Sequence, residues 1–135
     1  MTNDRVAAPR FTDLPPLALY VHFPWCRQKC PYCDFNSHAI DGALPQEAYV
    51  RALMQDLKRD LQWAQGRDLC SIFLGGGTPS LFSPRSVHQI LTGIGELLGL
   101  TDQIEITMEV NPGTVDRARL TAYRDAGVNR LSLGV

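Results

Sequence analysis

No stretch of this 135-residue chain is apolar for long enough to span a bilayer. Its opening, MTNDRVAAPRFTDLPP, lacks the apolar core of a secretory leader. Asp4 and Asp13 in the same segment are residues that an acid-poor transit peptide avoids. A charge excess of either sign is missing too. Thirteen Lys and Arg against fourteen Asp and Glu leave a net charge of −1, which gives no electrostatic case for nucleic acid or an anionic membrane surface. Low-complexity segments are absent. Cysteine is scarce, four residues in all, yet three of the four crowd into one short stretch. Without a leader the expected compartment is the cytoplasm, which is reducing, and clustered thiols there bind metal more often than they form disulfides. What remains, 44% hydrophobic and 20% charged, is the composition of a globular domain.

Strand and helix patterns alternate along the chain. Residues 1–15 read as a loose arm ended by Pro15 and Pro16, and 16–135 as one α/β core. LALYVHF (17–23) has the period of a strand, and a long loop then holds the cysteines as far as about Leu44. Over 45–65, Val50, Leu53, Met54, Leu57, Leu61 and Ala64 form one helical stripe. CSIFLG (70–75) is the second strand, followed by GGTPSLF. Ser83 as cap and Pro84 in the first turn start a second helix, with Val87, Ile90, Leu91, Ile94, Leu97 and Leu98 as its stripe and Gly99 at its end. QIEITMEV (103–110) is the third strand, Thr114 the expected cap of a third helix that Gly127 ends, and RLSLGV (130–135) the fourth strand. Repeats of this kind predict parallel strands joined by right-handed crossovers, with the short connections of a (β/α) barrel. A full eight-unit barrel takes about 250 residues. The expectation is therefore the N-terminal portion of such a barrel, cut after its fourth strand.

Side chains alternate across a strand. Leu19, Val21 and Phe23 share one face of the first strand, Tyr20 and His22 the other. Ile104, Ile106, Met108 and Val110 oppose Glu105, Thr107 and Glu109, while Leu131 and Leu133 oppose Ser132 and Gly134. If the apolar faces meet the helices, the inner face is unusually polar, whereas closed barrels fill it with branched apolar side chains. The cysteine loop, the glycine loop and Glu109 each follow or close a strand. Parallel α/β folds build their sites on that shared carboxyl rim.

Cys26, Cys30 and Cys33 are spaced C-x3-C-x2-C. Thiolates suit zinc or iron–sulfur clusters. Structural zinc takes four ligands, and His22 or His38 would have to supply the fourth. A cubane cluster normally takes four cysteines, so three leave one iron open for a substrate or cofactor. The LGGGTP run (74–79) permits close backbone approach to a ligand and, with no GK[ST] after it, is not a P-loop. Cys70, at the start of its apolar run, reads as a small buried hydrophobe.

Four segments, YVHFPWCRQKCPYCDF, SIFLGGGTPSLF, EITMEVNPGT and GVNRLSLGV, together resemble the radical S-adenosylmethionine superfamily, and the resemblance extends over 18–135, nearly the whole chain. In detail they resemble the oxygen-independent coproporphyrinogen III oxidases and the related HemW heme chaperones. The resemblance implies a TIM-like radical SAM barrel. It implies that Cys26, Cys30 and Cys33 hold a [4Fe–4S] cluster whose open iron takes S-adenosylmethionine, cleaved on reduction to a 5′-deoxyadenosyl radical. It places Gly76, Gly77 and Thr78 in the loop that meets the methionine part, Glu109 and Tyr20 beside the cofactor, and the backbone of Tyr32 near it. The oxidases resemble C-x3-C-x2-C-x-C, but Phe35 stands here in place of the last cysteine. That is the HemW pattern. It implies heme as ligand, a heme-accepting target protein and an electron donor as partners, with oxidative decarboxylation of coproporphyrinogen III as the alternative.

Overall fold

The computed structural model describes residues 13–134, so most of the arm expected over 1–15 lies outside the described residues. Seven longer elements follow in chain order, with two short strands between the first and second of them. They are β1 (Leu17–Phe23), β2 (Trp25–Cys26), β3 (His38–Ala39), α1 (Gln46–Ala64), β4 (Leu69–Gly76), α2 (Pro84–Leu97), β5 (Leu100–Val110), α3 (Arg117–Ala126) and β6 (Arg130–Leu133), with 3-10 turns at Pro79–Leu81 and Pro112–Thr114.

One parallel sheet runs in the order β1-β4-β5-β6. Each new strand joins the edge its predecessor left. The order never reverses, as it would in a doubly wound sheet, and this is the advance a barrel requires. The alternating strands drive the layering. Val21, Phe23, Ile72, Leu74, Ile106, Met108 and Val110 are buried on one face, where they meet Val50 of α1, Val87, Ile90, Leu91 and Ile94 of α2 and Tyr123 of α3. The two helical stripes read from the sequence are the faces that pack there. Ser83 caps α2 by accepting the Ser86 N–H at 3.1 Å, with Pro84 next to it, and Gly127 ends α3 at φ +120°. Beyond Gly127 the N–H of Val128 returns to Tyr123 O at 3.1 Å, closing the last turn of α3.

Four expectations need correction. Thr114 does not cap α3: Asp116 does, its carboxylate accepting the Arg119 N–H at 2.8 Å. The Asn-Pro-Gly-Thr run forms its own 3-10 turn, in which Asn111 accepts the Gly113 N–H and the Thr114 hydroxyl donates to Asn111 O, so Thr114 is already used. Gly99 is no left-handed cap, since α2 ends on Leu98 in extended backbone. Leu131 and Leu133 do not meet helices and are exposed. Cys70 is half-buried, and its thiol donates to Leu17 O at 3.2 Å across the start of the sheet.

Candidate functional site

The register aligns the inner face in rows. Tyr20 pairs with Phe73, Phe73 with Thr107 and Thr107 with Arg130; one layer nearer the rim, His22 pairs with Gly75 and Glu109 with Ser132. Tyr20 stacks on Phe73 with ring centroids 6.1 Å apart, and Gly75 leaves room for both rings. Lower in the face, Arg130 bridges Glu105 Oε1 at 3.2 Å and Thr107 Oγ1 at 3.4 Å. The face is polar as the alternation implies, apart from Phe73.

At the carboxyl rim the cysteine loop folds back on itself. Trp25–Cys26 pairs in parallel with His38–Ala39, closing a loop that holds Cys30 and Cys33. Within it the Cys33 N–H donates to Cys30 O at 3.0 Å. The loop is anchored beneath as well. The Tyr49 hydroxyl of α1 donates to His22 O, and the Trp25 indole packs edge-on to the Tyr49 ring at 4.8 Å.

His22 ties the rim together. Its Nε2 lies 2.7 Å from Asn36 O, a pure acceptor, so Nε2 carries the proton and Nδ1 accepts from the Tyr20 hydroxyl at 2.9 Å. Both ring nitrogens are thereby engaged, and His22 is no free ligand for zinc. His38, the other histidine weighed for that role, is exposed in β3.

Gly76 and Gly77 make their closest approach to the protein itself. A Cβ on Gly77 would lie 2.5 Å from Trp25 O and 2.8 Å from Phe23 O. Gly76 holds φ +112°, and its Cβ would enter the His22 ring. The loop therefore lies flat against the segment leading to Cys26. Gly77 N–H donates to Phe23 O at 2.6 Å and Thr78 N–H to Trp25 O at 2.8 Å. From the opposite side, Gly76 N–H donates to Glu109 Oε2 at 3.0 Å, which aims that carboxylate along the rim.

These pieces line one cavity of ≈ 490 Å³. Its walls carry Cys26, Cys30, Tyr32, Cys33, Gly76, Gly77, Thr78 and Glu109, eight of the nine site residues read from the sequence. The ninth, Tyr20, sits one layer below on the inner face, and burial followed by the Glu109 charge raises its hydroxyl pKa above the usual tyrosine value. The Tyr32 hydroxyl is also raised, first by its hydrogen bond to the Cys30 side chain and then by that group's charge. Sequence reasoning missed Gln28 and Asn111 on these walls, whereas Ser132 and Gly134, which also line the cavity, lie on the inner face as the alternation placed them.

Tested against the chemistry of a cubane cluster, the donor set fits. Three free thiols, half-buried at Cys26 and Cys33 and exposed at Cys30, face one cavity. Among the described residues, no three His, Cys, Asp or Glu side chains converge on a single metal ion. A cubane asks for no such convergence, because each of its thiolates binds a different iron. Cys70 lies at the far end of β4. Cys70→Ser is therefore expected to leave iron content after anaerobic reconstitution unchanged. A loss of iron would mean that the ligand set is wrong.

A parallel α/β chain with three thiols, a glycine loop and a carboxylate on one rim has the form of a cofactor-binding barrel half. Residues 20–135 match the Radical SAM superfamily, and the chain belongs to that family. Membership implies a [4Fe–4S] cluster and S-adenosylmethionine. Among curated relatives, the heme chaperone HemW of Escherichia coli (strain K12) is 56% identical over 122 residues, covering 90% of this chain and 32% of that protein. The mitochondrial radical S-adenosyl methionine domain-containing protein 1 of Bos taurus is 41% identical, covering 87% of this chain and 26% of that protein. The solved structure of coproporphyrinogen III oxidase (HemN) from Escherichia coli, a radical SAM enzyme, superposes with a TM-score of 0.81 at 31% identity, covering 89% of this chain and 28% of that one. The chain spans about a third of the length of the first of these relatives. No helix among the described residues is long and apolar enough to cross a membrane.

Proposed function

We propose that the protein is a heme chaperone of the HemW type. It holds a [4Fe–4S] cluster and S-adenosylmethionine on the cysteine rim, binds heme, and passes it to a target protein in the cytoplasm. The single observation carrying this reading is the 56% identity to a heme chaperone over 90% of the chain. Phe35, on the cavity wall where the oxidases resemble a cysteine, supports it.

In this reading Cys26, Cys30 and Cys33 hold the cluster. With S-adenosylmethionine bound beside it, the cluster would supply one-electron reductive cleavage of a sulfonium. Everything else is binding and orientation by the chain. Gly76, Gly77 and Thr78 offer backbone to the methionine part. Glu109, aimed by Gly76 N–H, takes a cationic or hydroxyl-bearing part of the cofactor. Tyr20, fixed by His22, forms the floor. The Tyr32 backbone borders the cofactor from the cysteine loop. An external electron donor is required.

A second reading, decarboxylation of coproporphyrinogen III, draws on the superposition with the oxidase. Both readings bring a tetrapyrrole to the chain, so the decisive experiment separates binding from turnover. The whole protein, reconstituted anaerobically, is given reductant, S-adenosylmethionine and coproporphyrinogen III beside a known oxidase, and is titrated separately with heme. Expected are saturable heme binding and no decarboxylated product. Product formation would overturn the chaperone reading in favour of the oxidase, and absent heme binding would remove the chaperone.

A further inference from the structure

We propose that Arg119 and Tyr123 of α3 are positioning residues for S-adenosylmethionine, acting through the turn that follows the glycine loop. The inference rests on reading Gly76, Gly77 and Thr78 as the cofactor loop.

The 3-10 turn at Pro79–Leu81 begins directly after Thr78. A turn this short leaves carbonyls that no helix or strand satisfies. Here two side chains gather them. Arg119 Nη2 donates to the carbonyls of Ser80 at 3.1 Å, Phe82 at 3.0 Å and Leu81 at 3.4 Å. Tyr123, fully buried, donates its hydroxyl to Ser80 O at 3.0 Å and Phe82 O at 2.5 Å, and accepts from Arg119 Nε at 3.0 Å. One helical turn separates the two residues, so both reach the same spot from α3.

The same turn is pinned to the other wall of the cavity. Ser80 Oγ lies 2.5 Å from Thr114 Oγ1 and accepts the Asn111 N–H at 3.4 Å. Asn111 is two residues past Glu109. The turn thus sets the spacing between the glycine loop and the carboxylate from behind, while the Gly76–Glu109 hydrogen bond sets it from within.

Plain packing would not need this chemistry. Among the described residues Arg119 has no carboxylate partner within ion-pair distance, so its charge is spent on neutral carbonyls. Arg119 is half-buried, so part of its guanidinium's hydration is given up for these neutral partners. What the cost secures is one fixed geometry at a turn whose far end is the cofactor loop.

The test compares Tyr123→Phe and Arg119→Gln with Ile94→Val, a core change remote from the rim, in the whole protein reconstituted anaerobically. The readouts are the Kd for S-adenosylmethionine by equilibrium dialysis, iron per chain, and the thermal midpoint. Expected in both clamp variants is a Kd raised about tenfold with iron unchanged, the scale on which outer-shell partners act. Ile94→Val is expected to lower the midpoint and leave the Kd as it was. A wild-type Kd in the clamp variants, or a Kd that follows the midpoint in all three, overturns the proposal. If Tyr123→Phe does not fold, Thr114→Val cuts the Ser80 link from the loop side. A raised Kd there supports the proposal and an unchanged one overturns it. Failure of the wild-type, iron-loaded protein to bind S-adenosylmethionine would instead defeat the cofactor reading beneath it.

Discussion

Cys30→Ala is expected to abolish the cluster, taking iron and sulfide after anaerobic reconstitution from about four of each per chain to background. The size of the effect follows from the absence of a reserve. Three thiols face the cavity, and a cubane already leaves one of its irons without a cysteine in that arrangement. No fourth thiol stands ready among the described residues. Cys70 is held at the far end of β4 by Leu17 O, and His22 has both nitrogens engaged. Cys30 is also exposed and makes no side-chain contact that the core depends on, so the fold should survive its loss. Iron analysis and circular dichroism on the same sample separate the two effects. Iron retained in Cys30→Ala would end the assignment of the three cysteines.

Gly77→Ala is expected to damage both the fold and the site. The added methyl would meet Trp25 O at 2.5 Å and Phe23 O at 2.8 Å, and both atoms are backbone that no rotamer change can move aside. Relief requires the glycine loop to lift from the β1–β2 segment. That movement breaks the Gly77–Phe23 and Thr78–Trp25 hydrogen bonds. Overpacking of this kind costs about 1–3 kcal/mol, and the lost bonds bring the total to roughly 3 kcal/mol. Gly113→Ala is the matched control, since its Cβ would meet only Asn111 Oδ1 at 3.4 Å. Urea denaturation should show a lowered midpoint for Gly77→Ala and nearly none for Gly113→Ala. Equal midpoints would show that the loop does not depend on this close approach.

The long elements were legible because each carries a period over many residues. The stripe from Val50 to Ala64 and the alternation from Leu17 to Phe23 each repeat often enough to override local ambiguity. The rim followed from connectivity alone, since parallel strands put their carboxyl ends together. Local competition was harder to see. Thr114 and Asp116 are both good caps. The choice between them lay with Asn111 O, which takes the Thr114 hydroxyl proton, and with Ser80, 34 residues away, whose hydroxyl meets the Thr114 oxygen. The two-residue pairing of β2 with β3 is too short to leave any period, yet it shapes the cysteine loop. Arg119 and Tyr123 looked like ordinary helix residues because their partners are main-chain carbonyls, which have no sequence signature. Leu131 and Leu133 show the reverse case, where alternation predicts a covered face and the described residues supply no cover.

The two N–H groups that pin the cysteine segment, at Gly77 and Thr78, lie ~50 residues further along the chain than the carbonyls they hold. A ribosome adding about 5–20 residues per second makes the thiols several seconds before it makes their anchor. During that interval Cys26, Cys30 and Cys33 belong to a nascent segment without a floor. If these thiols hold the cluster, as proposed, its insertion is a matter of timing as well as of ligands.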